Sequence, residues 1–245
     1  MKYVLPLPVA MIAVVASFPF SAVANSLSGG LHFSGDLTIT TDTNPSSPTF
    51  GAGTITFNDV TATTHTFTID SGTGDFGGFS GQGDEKTIGT ASAPIDTLVN
   101  IADFLTFVSS PVTFTLTEVY GGVDPPAGCS ANVALEANGN LCSPFGTPFN
   151  LQDIAPNGTN STASFVVLGF LTSNGTNTPA IITFTAASTG KSFERLLSDQ
   201  QAGLADTITY GAQLQALAPE PSTWRFMLAG CLLMAFGIFR RRRVH

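Results

Sequence analysis

The feature of this chain that most limits its fold is the alternation of apolar and polar side chains in short runs. In the first run, Leu31, Phe33, Leu37 and Ile39 are separated mainly by polar residues, which places one apolar face on a strand. Further apolar runs with strand character occupy residues 55–57, 67–69, 112–116, 164–171, 181–184 and 208–216. Threonine fills many outward positions, in keeping with its preference for strands. The chain is therefore predicted to be all-β.

The segments between these runs indicate how the strands are connected. Gly, Pro, Asn and Ser recur there at short intervals, a pattern typical of a sandwich or barrel. We predict an antiparallel β-sandwich or jelly-roll-like domain over residues 25–218. Phe193, Leu196 and Leu197 share one helical face and predict one short helix over about residues 192–202, ending at Gly203. Residues 98–105 also fit helical spacing and predict a short helix or turn that leads into a strand.

The N-terminal segment has the composition of a secretory signal. Lys2 gives it a positive start, and residues 4–20 are mostly apolar. Ala22 and Ala24 then form the small-x-small pattern that signal peptidase recognises. We predict a signal peptide over residues 1–24, export through the Sec machinery and cleavage before Asn25.

The C-terminal segment combines a second apolar run with a cluster of positive charge. The run extends from Trp224 to Phe239 and is followed by Arg240, Arg241, Arg242 and Arg243. A membrane-spanning helix needs about 20 apolar residues, so a transmembrane helix over 224–239 would be a short span, suited to a temporary tether. Because clustered basic residues stay on the cytoplasmic side, residues 25–218 are expected on the far side of the inner membrane.

The order of Pro219, Glu220 and Pro221, a short apolar helix and an Arg cluster resembles the PEP-CTERM sorting signal of bacterial exported proteins. The resemblance covers residues 219–243, and Arg225 departs from it, since the family usually has an apolar residue there. It implies processing near the Pro-Glu-Pro site by an exosortase, a membrane-embedded cysteine protease or transpeptidase. It also implies association with exopolysaccharide, which exosortase systems tend to accompany. An ordinary membrane anchor that is never cut is the alternative.

The charge of the exported part excludes one class of partner. Residues 25–218 contain 16 acidic and three basic residues, a formal net charge of −13, compared with −8 for the whole chain. Such a surface repels phosphate backbones, so we expect no nucleic acid partner. Solubility of a secreted protein is the simplest explanation of the surplus negative charge.

The three cysteines divide by compartment. Cys231 lies in the C-terminal apolar run, whereas Cys129 and Cys142 lie in the exported part, where oxidation is possible. A disulfide between these two would close a loop of 12 residues and stabilise the fold by about 3 kcal/mol in the chain-entropy model. A metal site is the rival interpretation, but two cysteines without a nearby histidine fall short of tetrahedral zinc.

No motif for catalysis stands out in the sequence. There is no Gly-x-Ser-x-Gly elbow and no His-Glu-x-x-His. His32 is expected to point to solvent, and His65 is in register with the buried face of the following strand. A pair of carboxylates for glycoside hydrolysis could come from any of the 16 acidic residues, and no spacing selects one. We therefore expect a non-enzymatic protein with no cofactor.

One weak metal candidate is the segment from Asp70 to Asp75, in which two carboxylates flank Gly and hydroxyl residues. Oxygen ligands on a glycine-rich loop suit Ca²⁺, although the bidentate Glu of an EF-hand is missing. A polar turn between two strands is the simpler interpretation. Apart from this candidate, the sequence predicts no metal site.

These observations favour an exported, non-catalytic surface or extracellular-matrix protein. A glycan- or ligand-binding module is the alternative, and a secreted hydrolase is a weaker one. Sugar sites commonly use Trp or Tyr, and the exported part has only Tyr120 and Tyr210, which weighs against stacking recognition.

Overall fold

The computed structural model describes residues 26–41, 53–58, 66–89, 95–125, 128–144, 147–154, 158–204 and 206–217. Within these ranges the chain forms twelve strands, one α-helix and two short 3₁₀ turns, at Gly74–Phe76 and Val133–Leu135. The strands are β1 (Gly30–Thr41), β2 (Gly53–Asn58), β3 (Thr66–Gly72), β4 (Gln82–Glu85), β5 (Ile88–Gly89), β6 (Ile101–Phe107), β7 (Ser110–Val119), β8 (Leu141–Cys142), β9 (Asn150–Ile154), β10 (Asn160–Ser173), β11 (Thr176–Ser188) and β12 (Asp206–Ala216). The helix, α1, spans Phe193–Gln201.

Eight of these strands form one closed, barrel-like sheet. The order around the ring is β1, β3, β4, β6, β7, β10, β11 and β12, and β12 pairs with β1 to close it. All of the pairings are antiparallel. The all-β class with one short helix is confirmed. The sheet closes on itself, however, and does not divide into the two sheets of the sandwich or jelly roll that we predicted.

Two long strands explain how one sheet can both close and branch. β1 pairs with β3 near its start and with β2 over Asp36–Thr41, and β5 extends β2. β10 pairs with β9 over Asn160–Ser164 and with β7 over Val167–Thr172. Among the described residues, each of the eight ring strands has a neighbour on both sides, and the outermost strands of the two branches are the two-residue strands β5 and β8.

The inside of the ring is filled by apolar side chains from the inward face of each strand. On β12 burial alternates strictly, with every second residue from Asp206 to Ala216 buried. Aromatic rings dominate the centre, where Phe33, Phe184 and Tyr210 contact one another edge to face at 5.5–6.3 Å between ring centroids. Phe165 stacks on Phe184 at 4.6 Å. Such contacts add to the hydrophobic stabilisation of a core.

The helix begins and ends where the sequence predicts. Ser192 is the N-cap, and its Oγ accepts a hydrogen bond from the Arg195 amide at 3.3 Å. Gly203 follows the helix with φ of +74°, a left-handed conformation that favours glycine. Of the two alternatives predicted for the segment 98–105, the structure has the turn, over residues 95–97, which leads into β6 without a helix. None of the helices among the described residues has the length and hydropathy of a membrane span.

Candidate functional site

The residues predicted to direct sorting lie outside the described residues. They are Ala22 and Ala24 of the signal peptide, the motif Pro219, Glu220 and Pro221, and the cluster Arg240–Arg243. The transmembrane helix over 224–239 and His65 lie outside them as well. Their roles remain predictions from the sequence.

Cys129 and Cys142 are joined by a disulfide, as predicted, with their Cα atoms 5.0 Å apart. Cys142 is fully buried on β8, opposite Leu151 of β9. It belongs to a second, smaller core cluster together with Phe193 from the first turn of α1. The bonded sulfurs offer no thiolate to a metal, and they fasten the 129–142 loop at the place where α1 packs.

Asp70 and Asp75, the calcium candidates, each bind a neighbouring segment of the chain. Asp75 Oδ2 accepts hydrogen bonds from Ser28 N at 2.7 Å and from Ser28 Oγ at 3.1 Å. Asp70 Oδ1 accepts from Ser34 Oγ at 3.0 Å. Over the described ranges, no group of three or more His, Cys, Asp or Glu side chains is placed to hold a metal ion. These contacts favour the polar turn, and calcium binding stays a prediction.

Two buried carboxyl groups meet where β9 and α1 come together. Asp153 is 0% exposed and Glu194 is 1% exposed, and the two carboxyl groups lie within hydrogen-bond reach of each other. Asp153 Oδ1 accepts from the Phe193 amide at 2.9 Å, and Glu194 Oε1 accepts from Asn140 Nδ2 at 3.2 Å. Asp153 Oδ2 and Glu194 Oε2 receive no donor from the described part of the chain.

The cations nearest to this pair neutralise other carboxylates. Glu136 Oε1 accepts hydrogen bonds from Ser192 Oγ and from Arg195 Nε, the latter at 2.8 Å. The Ser192 bond first, and the Arg195 bond after it, hold the pKa of Glu136 below its usual value. Lys191 Nζ lies 2.7 Å from Asp199 and 2.6 Å from Asp206. Burial, and after it the neighbouring Glu194, raises the pKa of Asp153 to about 6, against the lowering effect of the hydrogen bond from the Phe193 amide.

A third buried carboxyl group, at a second site, lies inside the ring. Glu85 of β4 is 3% exposed, and the Tyr210 hydroxyl donates to its Oε1, while Oε2 has no partner among the described residues. Burial raises the pKa of Glu85 to about 8 against the opposing effect of the Tyr210 hydrogen bond. Burial, and after it Glu85, raises the pKa of Tyr210 far above its ordinary value. Glu85 is therefore uncharged at neutral pH.

The surroundings of these carboxyl groups weigh against acid–base catalysis. A general acid must reach the proton acceptor of a substrate, and Glu85, Asp153 and Glu194 are all enclosed by protein. The arrangement can bind protons, but it presents no carboxylate to a ligand.

The outer face of the closed sheet carries a shallow polar groove of about 280 Å³ across β3, β1, β12 and β11. Gly211 forms its floor, since a side chain placed there would meet nothing within 4 Å. The groove is lined by exposed polar side chains, namely His32, Asp70, Thr183, Thr185 and Gln213. His32 is exposed, as expected from the sequence. The volume lies just under the usual range of about 300–1,000 Å³ for small-molecule sites.

Sequence reasoning did not find the two buried carboxyl sites. One signal was present for Asp153, because it follows Leu151 at the period of two that defines an inward face. Glu194 stands in the first turn of a helix, where acidic residues are common for reasons unrelated to burial. Glu85 lies in the segment Gln82–Glu85, which has no apolar residue to mark its buried face.

Comparisons with known proteins identify no relative of this chain. No family model matches it, and no curated protein or solved structure matches it either.

Proposed function

We propose that this chain is an exported, non-catalytic bacterial surface or extracellular-matrix protein. It is delivered through the Sec machinery, cut by signal peptidase, sorted through a PEP-CTERM-like tail by an exosortase-type enzyme, and associated with exopolysaccharide. The observation that carries the proposal is the order of Pro219-Glu220-Pro221, the apolar run 224–239 and Arg240–Arg243. Before processing, the precursor is tethered to the inner membrane with its domain in the periplasm.

The disulfide supports the compartment in this proposal. Bonds such as Cys129–Cys142 form and persist in oxidising environments, including the bacterial periplasm and cell surface. The surplus of negative charge over residues 25–218 suits a protein that must stay soluble outside the cell. The enclosed positions of Glu85, Asp153 and Glu194 are in keeping with a non-catalytic domain.

The proposal is tested by replacing Pro219, Glu220 and Pro221 with alanine in the native host. We expect the variant to accumulate in the inner-membrane fraction with its fold intact, because the processing enzyme no longer recognises the tail. Mass spectrometry of the wild-type protein should locate new ends near Asn25 and near the Pro-Glu-Pro site.

The control is Leu98→Ala, which changes a side chain that is 86% exposed and leaves the motif untouched. Its distribution between fractions should match that of the wild type. Recovery of the wild-type protein from the matrix with residues 219–243 still attached would contradict tail processing.

Glycan binding by the outer groove is the second candidate function. The polar groove around Gly211 supports it, because Thr, Gln, His and Asp side chains can exchange hydrogen bonds with sugar hydroxyls. Tyr210 cannot provide a stacking surface, since it is 1% exposed, and Tyr120 is 37% exposed. Recognition would therefore depend on hydrogen bonds, which suits weak, repeated contacts along a polymer.

Isothermal titration with extracellular polysaccharide purified from the native host tests this second candidate. Gly211→Trp should abolish binding by filling the groove, and the space above Gly211 allows the change. Val108→Trp, at a position that is 79% exposed, adds the same ring elsewhere and should bind as the wild type does. Equal binding by the wild type and Gly211→Trp would remove the groove as the site.

A further inference from the structure

We propose that Asp153 and Glu194 form a proton-operated clasp, which fastens α1 to β9 and the disulfide-closed loop at acidic pH and loosens as the pH rises. The name "carboxyl clasp" is used here for these two residues. The proposal is independent of the proposed function, because it concerns only contacts inside the described part of the chain.

The carboxyl clasp joins three segments that are distant in the sequence. Asp153 lies on β9 and holds the Phe193 amide at the start of α1. Glu194 lies in the first turn of α1 and holds Asn140, whose Nδ2 also donates to Leu135 O at 2.9 Å. Loss of the contact between the two carboxyl groups would therefore weaken the attachment of the helix to both the strand and the loop.

A proton is the occupant that fits the space between the two groups. Two ionised carboxylates in contact and removed from water repel each other, so one of them keeps its proton. Gly158 covers this site closely, since a Cβ there would stand 3.0 Å from Asp153 Oδ2. No third acidic, His or Cys side chain among the described residues completes a metal site.

The charges around the clasp reinforce this assignment. Glu136 faces it from the 129–142 loop and adds a further negative charge, which is partly offset by Arg195 of α1. Lys191, just before α1, is held by Asp199 and by Asp206 of β12. β10 contributes no charged side chain, and Asp36 of β1 accepts a bond from Thr209 Oγ1 on the outer face. Arg195 and Lys191 are thus both held by carboxylates outside the clasp.

The direction in which stability changes with pH follows from the higher pKa of Asp153 in the folded chain than in the unfolded chain. The pKa of Asp153 is raised from 3.8 to about 6 in the folded chain. Between these values the folded state binds more protons than the unfolded state, so stability falls as the pH rises. The clasp is therefore complete below pH 4 and has lost its contribution above pH 6.

Glu194→Gln tests the clasp in the full exported domain. The amide can donate to Asp153 Oδ2 and accept from Asn140 without needing a shared proton. At pH 7.5 we expect the thermal midpoint of this variant to exceed that of the wild type by roughly 2–5 °C, because the repulsion between the two carboxylates is removed while the burial of Asp153 remains, and we expect the difference to vanish near pH 4. Glu118→Gln, which makes the same charge change on β7, should follow the wild type at both pH values.

A carboxyl titration by NMR supplies a readout that a structural role alone would not move. The Asp153 carboxyl should titrate near pH 6 in the wild type and at a lower pH in Glu194→Gln, in which burial still raises its pKa but the Glu194 charge is gone. Asp153→Asn should likewise raise the midpoint at pH 7.5, because its amide can donate to Glu194. A lower midpoint for both variants at pH 7.5, or an Asp153 titration near pH 4 in the wild type, would overturn the proposal.

Discussion

Gly83 and Glu85 are the two buried residues of β4, and each lies against an aromatic side chain of the core. A Cβ at Gly83 would stand 2.3 Å from Phe67 Cζ and 2.4 Å from Thr106 O, so only glycine leaves room for the ring and the neighbouring strand. Glu85 receives the hydroxyl of Tyr210, which would otherwise be a buried donor without a partner. β4 thus completes the core without an apolar side chain of its own.

Glu85→Gln should make the protein more resistant to alkaline pH. The pKa of Glu85 is raised from 4.5 to about 8, so stability from this group is lost as the pH rises between these values. Glutamine keeps the acceptor for Tyr210 and cannot ionise. We expect the variant to exceed the wild type in free energy of unfolding by about 3–5 kcal/mol at pH 8, and by much less at pH 5.

Urea unfolding from pH 4 to pH 8.5 measures this difference. The pH range separates Glu85 from the carboxyl clasp. The loss of stability from the clasp is complete by about pH 6, whereas the loss of stability from Glu85 continues up to about pH 8. Asp84→Asn, an exposed neighbour on the same strand, is the matched control and should show no such trend. A constant difference between Glu85→Gln and the wild type across the range would show that Glu85 is ionised in the fold.

At the scale of elements, α1 is attached to the sheet through the disulfide region. Phe193 packs with Cys142, Leu151 and Ala163 in the second core cluster, which is separate from the centre of the ring. Lys191 joins the start of the helix region to Asp206, where β12 begins. The helix therefore depends on a small core, and the disulfide is part of that core.

Replacing both Cys129 and Cys142 with serine should lower the free energy of unfolding by about 3 kcal/mol, because the 12-residue loop is no longer closed in the unfolded chain. Burying a hydroxyl at position 142 adds to this cost, since Cys142 is fully buried. Hydrogen exchange should rise first in α1 and β9 and less in β11. Reduction of the disulfide in the wild type is a control that needs no substitution. Equal protection of the α1 amides from hydrogen exchange before and after reduction would contradict the attachment of α1 through the disulfide region.

At the scale of the whole molecule, the sequence predicted which segments form strands and the helix better than it predicted how the strands pair. Strands with a clear apolar face, such as β1, β10 and β12, were located correctly, and so was α1 with its cap at Ser192 and its stop at Gly203. These features depend on period and on end residues, which are local. β4, β5, β8 and β9 were missed, because they are short and β4 has no apolar residue.

The closure of the sheet could not be predicted for a different reason. It depends on pairings between strands far apart in the sequence, such as β1 with β12, and on irregular register, such as the shift between Leu168 and Gly169 within the β10–β7 pairing. A Cβ at Gly169 would stand 2.0 Å from Thr115 O, so the close approach there requires glycine. Such pairings are long-range, and no alternation of residues within a strand specifies its neighbour. The carboxyl clasp was missed for the same reason, because Asp153 and Glu194 are 41 positions apart.

The closed ring also predicts how far the C-terminus can be shortened. β12 lies between β11 and β1, and its pairing extends to Ala216 N, which donates to Gly29 O, and to Leu217 N, which donates to Pro179 O. A chain of residues 25–218 keeps every one of these bonds. We expect it to unfold in a single transition with the midpoint of the mature protein, so that removal of the tail from Pro219 onward costs the domain nothing.

A chain of residues 25–210 supplies the matched comparison. It lacks Gly211–Ala216 and with them the inward side chains Ala212, Leu214 and Ala216, all of which are buried. The ring then opens between β11 and β1 along that length, and it exposes strand edges and aromatic core to water. We expect this chain to be insoluble or to unfold without a cooperative transition in circular dichroism. A cooperative transition near that of residues 25–218 would show that closure of the sheet is not what stabilises the domain.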